Sequence, residues 1–540
     1  MDKRFLILAL LLVIVGAAAG GLFGRLSTIS AGNEITRDAI ITDYREALDV
    51  IDKNYGGAVD YEKISDTSIQ STLWSLDPHS AFFSREAFRK LNEEQASQFF
   101  GIGVSILQRR DGVYVQSVVP NTPADKAGLR YGDRFLQVDG KDATEWTSSE
   151  VSRNVRGPRG SSVKIKVERA SAASPVDYEI VRGGVPLPSI RNFFMLPDGV
   201  GYIGLVGGFQ ETTSAELDDA AESLRKQGMK SLILDVRNNP GGLLPQAVEV
   251  VSRFVSTGQT VVSVKGRSRY AISEEMKATG GSKYDLPLVV MINNGSASAS
   301  EIVAGAIQDH GRGLVVGTES FGKGLVQRVF PLPYGTGLTL TTARYYTPYG
   351  RSLQRDYSNG SIYDYYSHLN NGEEGGSSTQ TSGEPVTTAN GRVFYGGRGI
   401  VPDITVKPAD NGTLRFRINE AAFFFVRQLV SGKISGLENY KVEKQDFRQS
   451  ITSDSIQVND RLFEAFRLYT INDPRSGLVE GSLAVGADHA KLRLREELAT
   501  AIHSNEAGIQ VLLEADPQVL KAVQSIPEAA KFAAQSIAKR

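Results

Sequence analysis

No cysteine occurs in the chain, and that absence removes thiol nucleophiles, structural disulfides and thiolate metal sites from its chemistry. It is compatible with an oxidising compartment without requiring one. Histidine is nearly as scarce. The five histidines, at 79, 310, 368, 489 and 503, show no H-E-x-x-H or other metal-binding spacing. That pattern argues against a metalloprotease and leaves no metal or other cofactor expected. Excess charge is lacking too: 60 basic against 61 acidic side chains leave a net charge of −1. Nucleic acid is held by concentrated basic patches, none is found, and nucleic acid is therefore not an expected partner.

What is present is length and one long apolar run. At 540 residues the chain can build three or four domains, each with a core. Lys3 and Arg4 precede apolar sequence from Phe5 to about Phe23. Its densest part, Phe5 to Val15, followed by Ala17-Ala18-Ala19, has the layout of a cleavable secretory signal. The full run, at ~1.5 Å per residue, gives just under ~30 Å and suits a single membrane anchor, the preferred reading. Both readings of residues 1–26 place the remaining chain outside the cytoplasm, at the periplasmic face of the inner membrane if the source is bacterial.

The most informative stretch runs from Leu288 to Val329. Leu288 to Ile292 is a continuous apolar run rich in β-branched residues, and Asn293-Asn294-Gly295 follows as a turn. After a cluster of serines, Ile302, Val303, Ala306 and Ile307 share one helical face, so the order is buried strand, tight turn, helix. A second strand, Leu314 to Val316, leads to Lys323 between glycines. A helix N-terminus offers free N–H groups and partial positive charge, which suits an oxyanion. By itself the turn reads equally as an S-x-x-E capping box formed by Ser298 and Glu301.

Gly295-Ser296-Ala297-Ser298-Ala299-Ser300-Glu301-Ile302, then Phe321-Gly322-Lys323-Gly324, then Gln327, resembles the active-site signature of the carboxyl-terminal processing peptidases, the tail-specific serine proteases. The resemblance implies that Ser298 is the nucleophile, Lys323 the general base, and Gln327, one helical turn on, the residue that orients the lysine. For the fold it implies an α/β multidomain chain, with a crotonase-like α/β protease core and an inserted PDZ domain.

The rest of the chain is divided accordingly. Over 27–96, Ile40, Ile41, Tyr44, Ala47, Leu48 and Ile51 repeat as an amphipathic helix requires, giving a helical lead-in. Asp77-Pro78-His79-Ser80 resembles the DPHS motif of the same family and is assigned no chemistry. Residues 97–184 have the strand and turn order of a PDZ domain. Its Gly101, Ile102, Gly103 and Val104 form the loop that such domains use to capture a peptide's C-terminal carboxylate, the glycines allowing close approach. Residues 185–410 alternate strands and helices, as a mainly parallel sheet requires, and carry an expected mobile insertion over 356–392. Gly241 and Gly242 follow the strand Ser231 to Val236. The resemblance places part of the oxyanion hole there, from the amide of one of them together with that of Ala299. Residues 411–540 have helical spacing and leave open packing on the catalytic domain, self-association, or an adaptor.

Chemically, a lysine near its ordinary pKa of about 10.4 is protonated at neutral pH, so Lys323 needs burial to act as a base. Neutral Lys323 would take the Ser298 proton, and backbone amides would hold the oxyanion formed on a peptide carbonyl. His310 is a rival base. The expected substrates are proteins or peptides with free C-terminal tails. Two other readings stand beside this one: an acyl-thioester enzyme, for which no coenzyme A site is found, and a PDZ scaffold with a silent protease core.

Overall fold

The computed structural model describes residues 35–267, 273–357, 365–366, 383–410, 412–448, 450–452 and 455–538. The segment 1–26, read as signal or anchor, lies outside the described residues, as does most of the insertion read over 356–392. No helix among the described residues is long and apolar enough to cross a membrane. Two compact units divide the chain, one ending at Ser68 and the other beginning at Ile69. In the first, α1 (Arg37–Asn54) starts at Thr36, whose hydroxyl accepts from the Ala39 amide. Its Ile40, Ile41 and Tyr44 are exposed. Helix α2 (Tyr61–Trp74) follows, and Tyr44 and Ser68 share a hydroxyl hydrogen bond of 2.7 Å.

Past Ile69, β1 (Ala81–Phe83) and α3 (Arg85–Gln95) lead to a module tied at its ends. There β2 (Gln98–Gly101) pairs antiparallel with β9 (Gly183–Pro186). Between them lie β3 (Val104–Arg109), β4 (Gly112–Val118), β5 (Arg134–Val138), β6 (Lys141–Asp142), β7 (Ser162–Glu168) and β8 (Val176–Val181). Their antiparallel sheet has the order β3-β4-β5-β7-β8, with β6 on β5. Alternation decides the inside: Val163, Ile165 and Val167 are buried and the lysines between them are not. Helices α4 (Pro123–Ala127) and α5 (Ser148–Val155) add Ala124, Val151 and Val155 to that core. Strand β3 ends the sheet and has α5 beside it, which is the arrangement that accepts an added strand.

The following part of the chain is built on a second sheet. Strands β10 (Ile190–Leu196), β11 (Val200–Leu205), β12 (Ser231–Asp235), β15 (Leu288–Ile292), β16 (Leu314–Gly317) and β21 (Ile404–Thr405) stand in that order, parallel from β11 onward. Every residue of β11, β12, β15 and β16 is buried, so both faces need cover. Leu288, Val290 and Ile292 share one core with α6 (Thr213–Lys226), α7 (Leu244–Ser252) and α8 (Ala299–Asp309). Val289 and Met291 point the other way and share a core with Leu513, Val519, Ala522 and Ala529. Those residues belong to the last of the C-terminal helices, which comprise α9 (Thr413–Leu429), α10 (Asp460–Ile471), α11 (Glu480–Val485), α12 (Ala487–Ile502), α13 (Asn505–Leu513), α14 (Pro517–Gln524) and α15 (Ile526–Ala538). A further antiparallel sheet, β1-β18-β13-β14 with β17 on β18, uses β13 (Thr260–Lys265), β14 (Glu274–Lys277), β17 (Leu325–Pro331) and β18 (Gly337–Tyr346). A hairpin, β19 (Pro385–Thr387) and β20 (Val393–Tyr395), completes the set.

Candidate active site

Strand β15 ends at Ile292, and the chain turns through the serine cluster into α8 within a few residues. The three serines of this turn are not equivalent. Ser296 is fully buried and its hydroxyl donates to Val236 O at 2.8 Å; Ser300 is fully buried and donates to Asn239 O at 2.9 Å. Both pin the turn to the loop after β12. Ser298 alone is half-buried with a hydroxyl tied to no main-chain carbonyl. Its backbone sits at φ 56°, ψ −114°, a sharp strand-to-helix conformation that costs a non-glycine residue on the order of 1–3 kcal/mol. Such strain persists only where neighbours impose it, and here it lifts one hydroxyl out of the turn.

Glu301 supplies much of that restraint. Fully buried, its carboxylate accepts from Ser298 N–H at 2.9 Å, Ser320 Oγ at 2.6 Å, Gly322 N–H at 2.7 Å and Lys323 N–H at 2.9 Å. Ser298 and Lys323 share one carboxylate oxygen, so their main-chain nitrogens are separated by at most twice that distance. The capping-box glutamate is therefore the joint between the serine turn and the lysine loop. Burial pushes its carboxyl up to about 7, against the pull of the four donors.

Lys323 is held by that loop. Gly322 adopts φ 89°, which glycine takes without strain, and the Gly324 amide donates to Gln354 Oε1 at 3.0 Å. The lysine Nζ donates to Gln327 Oε1 at 2.9 Å, and no carboxylate among the described residues lies within ion-pair distance. Burial lowers its pKa below the ordinary lysine value, while the charges of Glu301 and Asp77 act in the opposite direction. The Ser298 and Lys323 side chains share no hydrogen bond here; such bonds commonly tighten only when substrate binds.

The helical-turn relation expected for Gln327 is corrected by the structure. Gln327 lies on β17, not on a helix, and reaches back to Lys323 because the β17–β18 register shifts between Val326 and Gln327. A bulge re-aims a side chain in this way without helical geometry. The Gln327 amide is anchored in turn: Nε2 donates to the carbonyl of His79. The Asp-Pro-His-Ser segment, assigned no chemistry from the sequence, thus supports the lysine's partner. Asp77 fixes it by accepting from the amides of His79 and Ser80, both at 2.8 Å. The His79 ring contacts Tyr365 at 5.3 Å between centroids and shares a 2.9 Å hydrogen bond with its hydroxyl. Burial, aided by the Lys323 charge, lowers its pKa to about 3, so it stays neutral. A cleft of about 430 Å³ opens here, lined by His79, Pro240, Ala297, Phe321, Lys323 and Tyr366 among others.

Residues 199–367 match peptidase family S41, and residues 114–169 match the PDZ domain family. The carboxy-terminal-processing protease of Bartonella bacilliformis is 34% identical over 331 residues, 61% of this chain and 75% of the relative. The chain belongs to the carboxy-terminal-processing proteases. The carboxy-terminal processing protease CtpA of Bacillus subtilis is 31% identical over 354 residues, 65% of this chain and 75% of that relative. Among solved structures, the PDZ domain of a carboxy-terminal protease from Vibrio cholerae, in complex with peptide, is 30% identical with a TM-score of 0.16, covering 17% of this chain and 99% of the domain. The chain is thus a serine-type C-terminal processing peptidase with a PDZ domain.

Within this protease the amides near Ser298 are now distinguishable. The Gly241 N–H is already given to Asn239 Oδ1 at 2.9 Å, whereas the Gly242 and Ala299 amides have no acceptor among the described residues. Gly241 still matters sterically. A Cβ there would stand 2.7 Å from Ser298 Cβ and 2.9 Å from the Ala299 nitrogen, on a backbone at φ 100°. Gly241→Ala should therefore destabilise by about 1–3 kcal/mol and displace the serine turn, lowering the melting temperature together with most of the activity. Unchanged hydrolysis by this variant would show that the contact yields freely.

In the protease's PDZ loop, Ile102 and Gly103 lie between strands and their amides have no acceptor among the described residues. Gly101 belongs to β2 and Val104 opens β3. Gly103 sits at φ 90° with Thr122 so close that a Cβ would fall 2.3 Å from its hydroxyl. The rival base is removed by distance: His310 caps the far end of α8, ~18 Å from Ser298 at ~1.5 Å per residue, with Nε2 on Thr260 O at 2.7 Å. His79 and Tyr366 were missed from the sequence because no local pattern joins residue 79 to residues 327 and 366. Glu301 was visible only as a cap.

Proposed function

We propose that this protease hydrolyses peptide bonds with Ser298 as nucleophile, Lys323 as general base and Gln327 as the residue that places the lysine amine. The observation that carries this reading is the setting of Lys323: an amine withdrawn from water, its pKa lowered, held by a neutral amide and by no carboxylate among the described residues. A carboxylate partner would keep the amine charged, whereas a glutamine fixes its position without stabilising the charge. Ser298 then loses its proton to Lys323 as its oxygen attacks the substrate carbonyl. The Ala299 amide and the open amide of Gly242 receive the oxyanion. Lys323 passes the proton to the leaving amine, and water hydrolyses the acyl-enzyme.

Substrates enter, on this reading, through the PDZ domain. The free amides of Ile102 and Gly103 suit a terminal carboxylate, and the open edge of β3 beside α5 suits an added strand. The crotonase-like description of the core and export through residues 5–23 belong to the same proposal. The test is hydrolysis of a protein with a free apolar C-terminal tail by the full chain and by Ser298→Ala. Loss of cleavage in the variant, with tail binding kept, supports the protease. Equal cleavage by both would overturn it, and no cleavage by either, with no labelling by a serine-directed probe, would favour the silent scaffold.

A further inference from the structure

The C-terminal helices join two neighbours, and the two junctions differ in kind. Against the protease sheet the contact is apolar: Val519 and Ala522 of α14 share a core with Val289, Met291 and Val316. One buried cation secures the edge, Arg237, which donates to Asp516 and Gln518 at 2.7 Å each while paired with Asp235. A cavity of about 1130 Å³ adjoins that edge, lined by Arg237, Asp516 and Gln518 among others.

Against the PDZ domain the contact is aromatic and charged. Tyr114 of β4 and Tyr131 lie inside the core of the C-terminal helices, with Tyr114 edge-on to Phe423 and Phe424. Arg427 of α9 donates to Gly132 O at 2.7 Å and to Glu168 Oε1 at 2.8 Å. Tyr131 donates to Glu497 of α12 at 2.7 Å. Three features show that this seam is imperfectly packed. Arg109 Nε and Arg110 Nε are buried there without a hydrogen-bond partner among the described residues, and buried polar groups left unpaired weaken an interface. A cavity of about 330 Å³ opens between Tyr131, Arg169 and Arg427. Phe447, leaning on the PDZ core beside that cavity, is held at φ 53°.

The seam also grips the strand that matters for a tail. Arg109 ends β3, the edge strand, and pairs with Glu497 at 3.5 Å; Arg110 follows and pairs with Asp473 and Glu420. A peptide added to β3 would therefore run on a strand whose far end is clamped by the C-terminal helices.

We propose that residues 413–538 act as a brace, fixed to the protease core and closed on the PDZ domain through a seam that can open, and that this brace sets the direction in which a bound tail leads toward Ser298. The proposal rests on tail capture by the PDZ domain and on hydrolysis at Ser298. It is tested with the full chain carrying Arg110→Ala and Arg427→Ala together, and separately with Tyr131→Phe, which removes one hydrogen bond without altering shape. The readouts are kcat/KM for a peptide with a free apolar tail, kcat/KM for a short peptide lacking it, tail affinity, and amide exchange. The double variant should lose at least tenfold in the ratio of tailed to tailless cleavage, with tailless cleavage and tail affinity unchanged. Exchange should rise at residues 131–134 and not at 519–522. Tyr131→Phe should move the ratio in the same direction by a smaller factor. An unchanged ratio with raised exchange overturns the brace, and unchanged exchange overturns the opening seam. If wild type cleaves tailed and tailless peptides equally, the tail-capture reading fails first; if it cleaves neither, the Ser298 reading does.

Discussion

Lys323→Arg should abolish hydrolysis, by roughly 10⁴-fold or more in kcat, while leaving the fold and tail binding intact. The reason is protonation. Arginine keeps its proton above pH 12 and cannot accept one from Ser298, although it is as long and as cationic as the residue it replaces. Lys323→Met should match that loss of activity and differ in stability. Burial depresses the folded-state pKa of Lys323 below its unfolded value, so the unfolded chain binds more protons between the two values. Stability therefore rises with pH through that window, and below it the buried cation costs the fold free energy. Methionine removes that cost, so the variant should melt higher than wild type at neutral pH and have lost its activity. In wild type, kcat should rise with pH as Lys323 deprotonates, with its midpoint below the ordinary lysine value of 10.5. A flat pH profile across that range, or substantial turnover by Lys323→Arg measured in single-turnover hydrolysis, would remove the lysine from the chemistry.

Glu301→Gln should lower kcat by roughly 10²-fold or more, because its four donors all require an acceptor. A glutamine presents one oxygen and one NH₂, and the NH₂ would face N–H groups whichever way it turned. The serine turn and the lysine loop then lose the group that fastens them together. The pH profile separates this from general loosening. The Glu301 charge holds the Lys323 pKa up, so its removal should move the alkaline rise of kcat to lower pH even as the maximum falls. Wild type should show a second limb near pH 7, where Glu301 takes up a proton and its carboxylate stops accepting on every side. That limb should be missing from the variant. The sign of its stability effect follows from the raised pKa: from 4.5 to about 7 the folded chain binds more protons than the unfolded one, so stability falls as pH rises through that window. A variant with wild-type kcat and an unmoved profile would reduce Glu301 to a helix cap.

The serine turn could be read from the sequence because each of its parts is local. An apolar β-branched run, an Asn-Asn-Gly turn and a helical repeat lie within about twenty residues, and β15 and α8 occupy the expected positions. The same holds for β7, where alternation alone separates Val163, Ile165 and Val167 from the lysines. Spacing misled where it was read without a partner. Lys323 and Gln327 are four apart, as helical neighbours are, yet a bulge against β18 brings them together. The role of His79 depends on a carbonyl that meets a side chain 248 positions away, and no periodicity carries such information.

By itself the sequence determined the local elements: the buried strand, the elbow at Ser298, the glycine-held lysine and the alternating strands of the PDZ domain. Each is set by side-chain period and turn residues within a few positions, so the chain carries them wherever it folds. Tertiary structure decided which serine keeps its hydroxyl clear of main-chain carbonyls, since Ser296 and Ser300 are taken by carbonyls of a loop about sixty positions earlier. It made Glu301 a joint rather than a cap, by bringing residues 320–323 onto its carboxylate. It also settled what covers Val289 and Met291. Five consecutive apolar residues in β15 demand cover on both faces, but nothing in that demand names its source, and the second layer comes from helices more than two hundred residues downstream. Burial is non-directional and indifferent to sequence distance, so only the folded chain selects the partner.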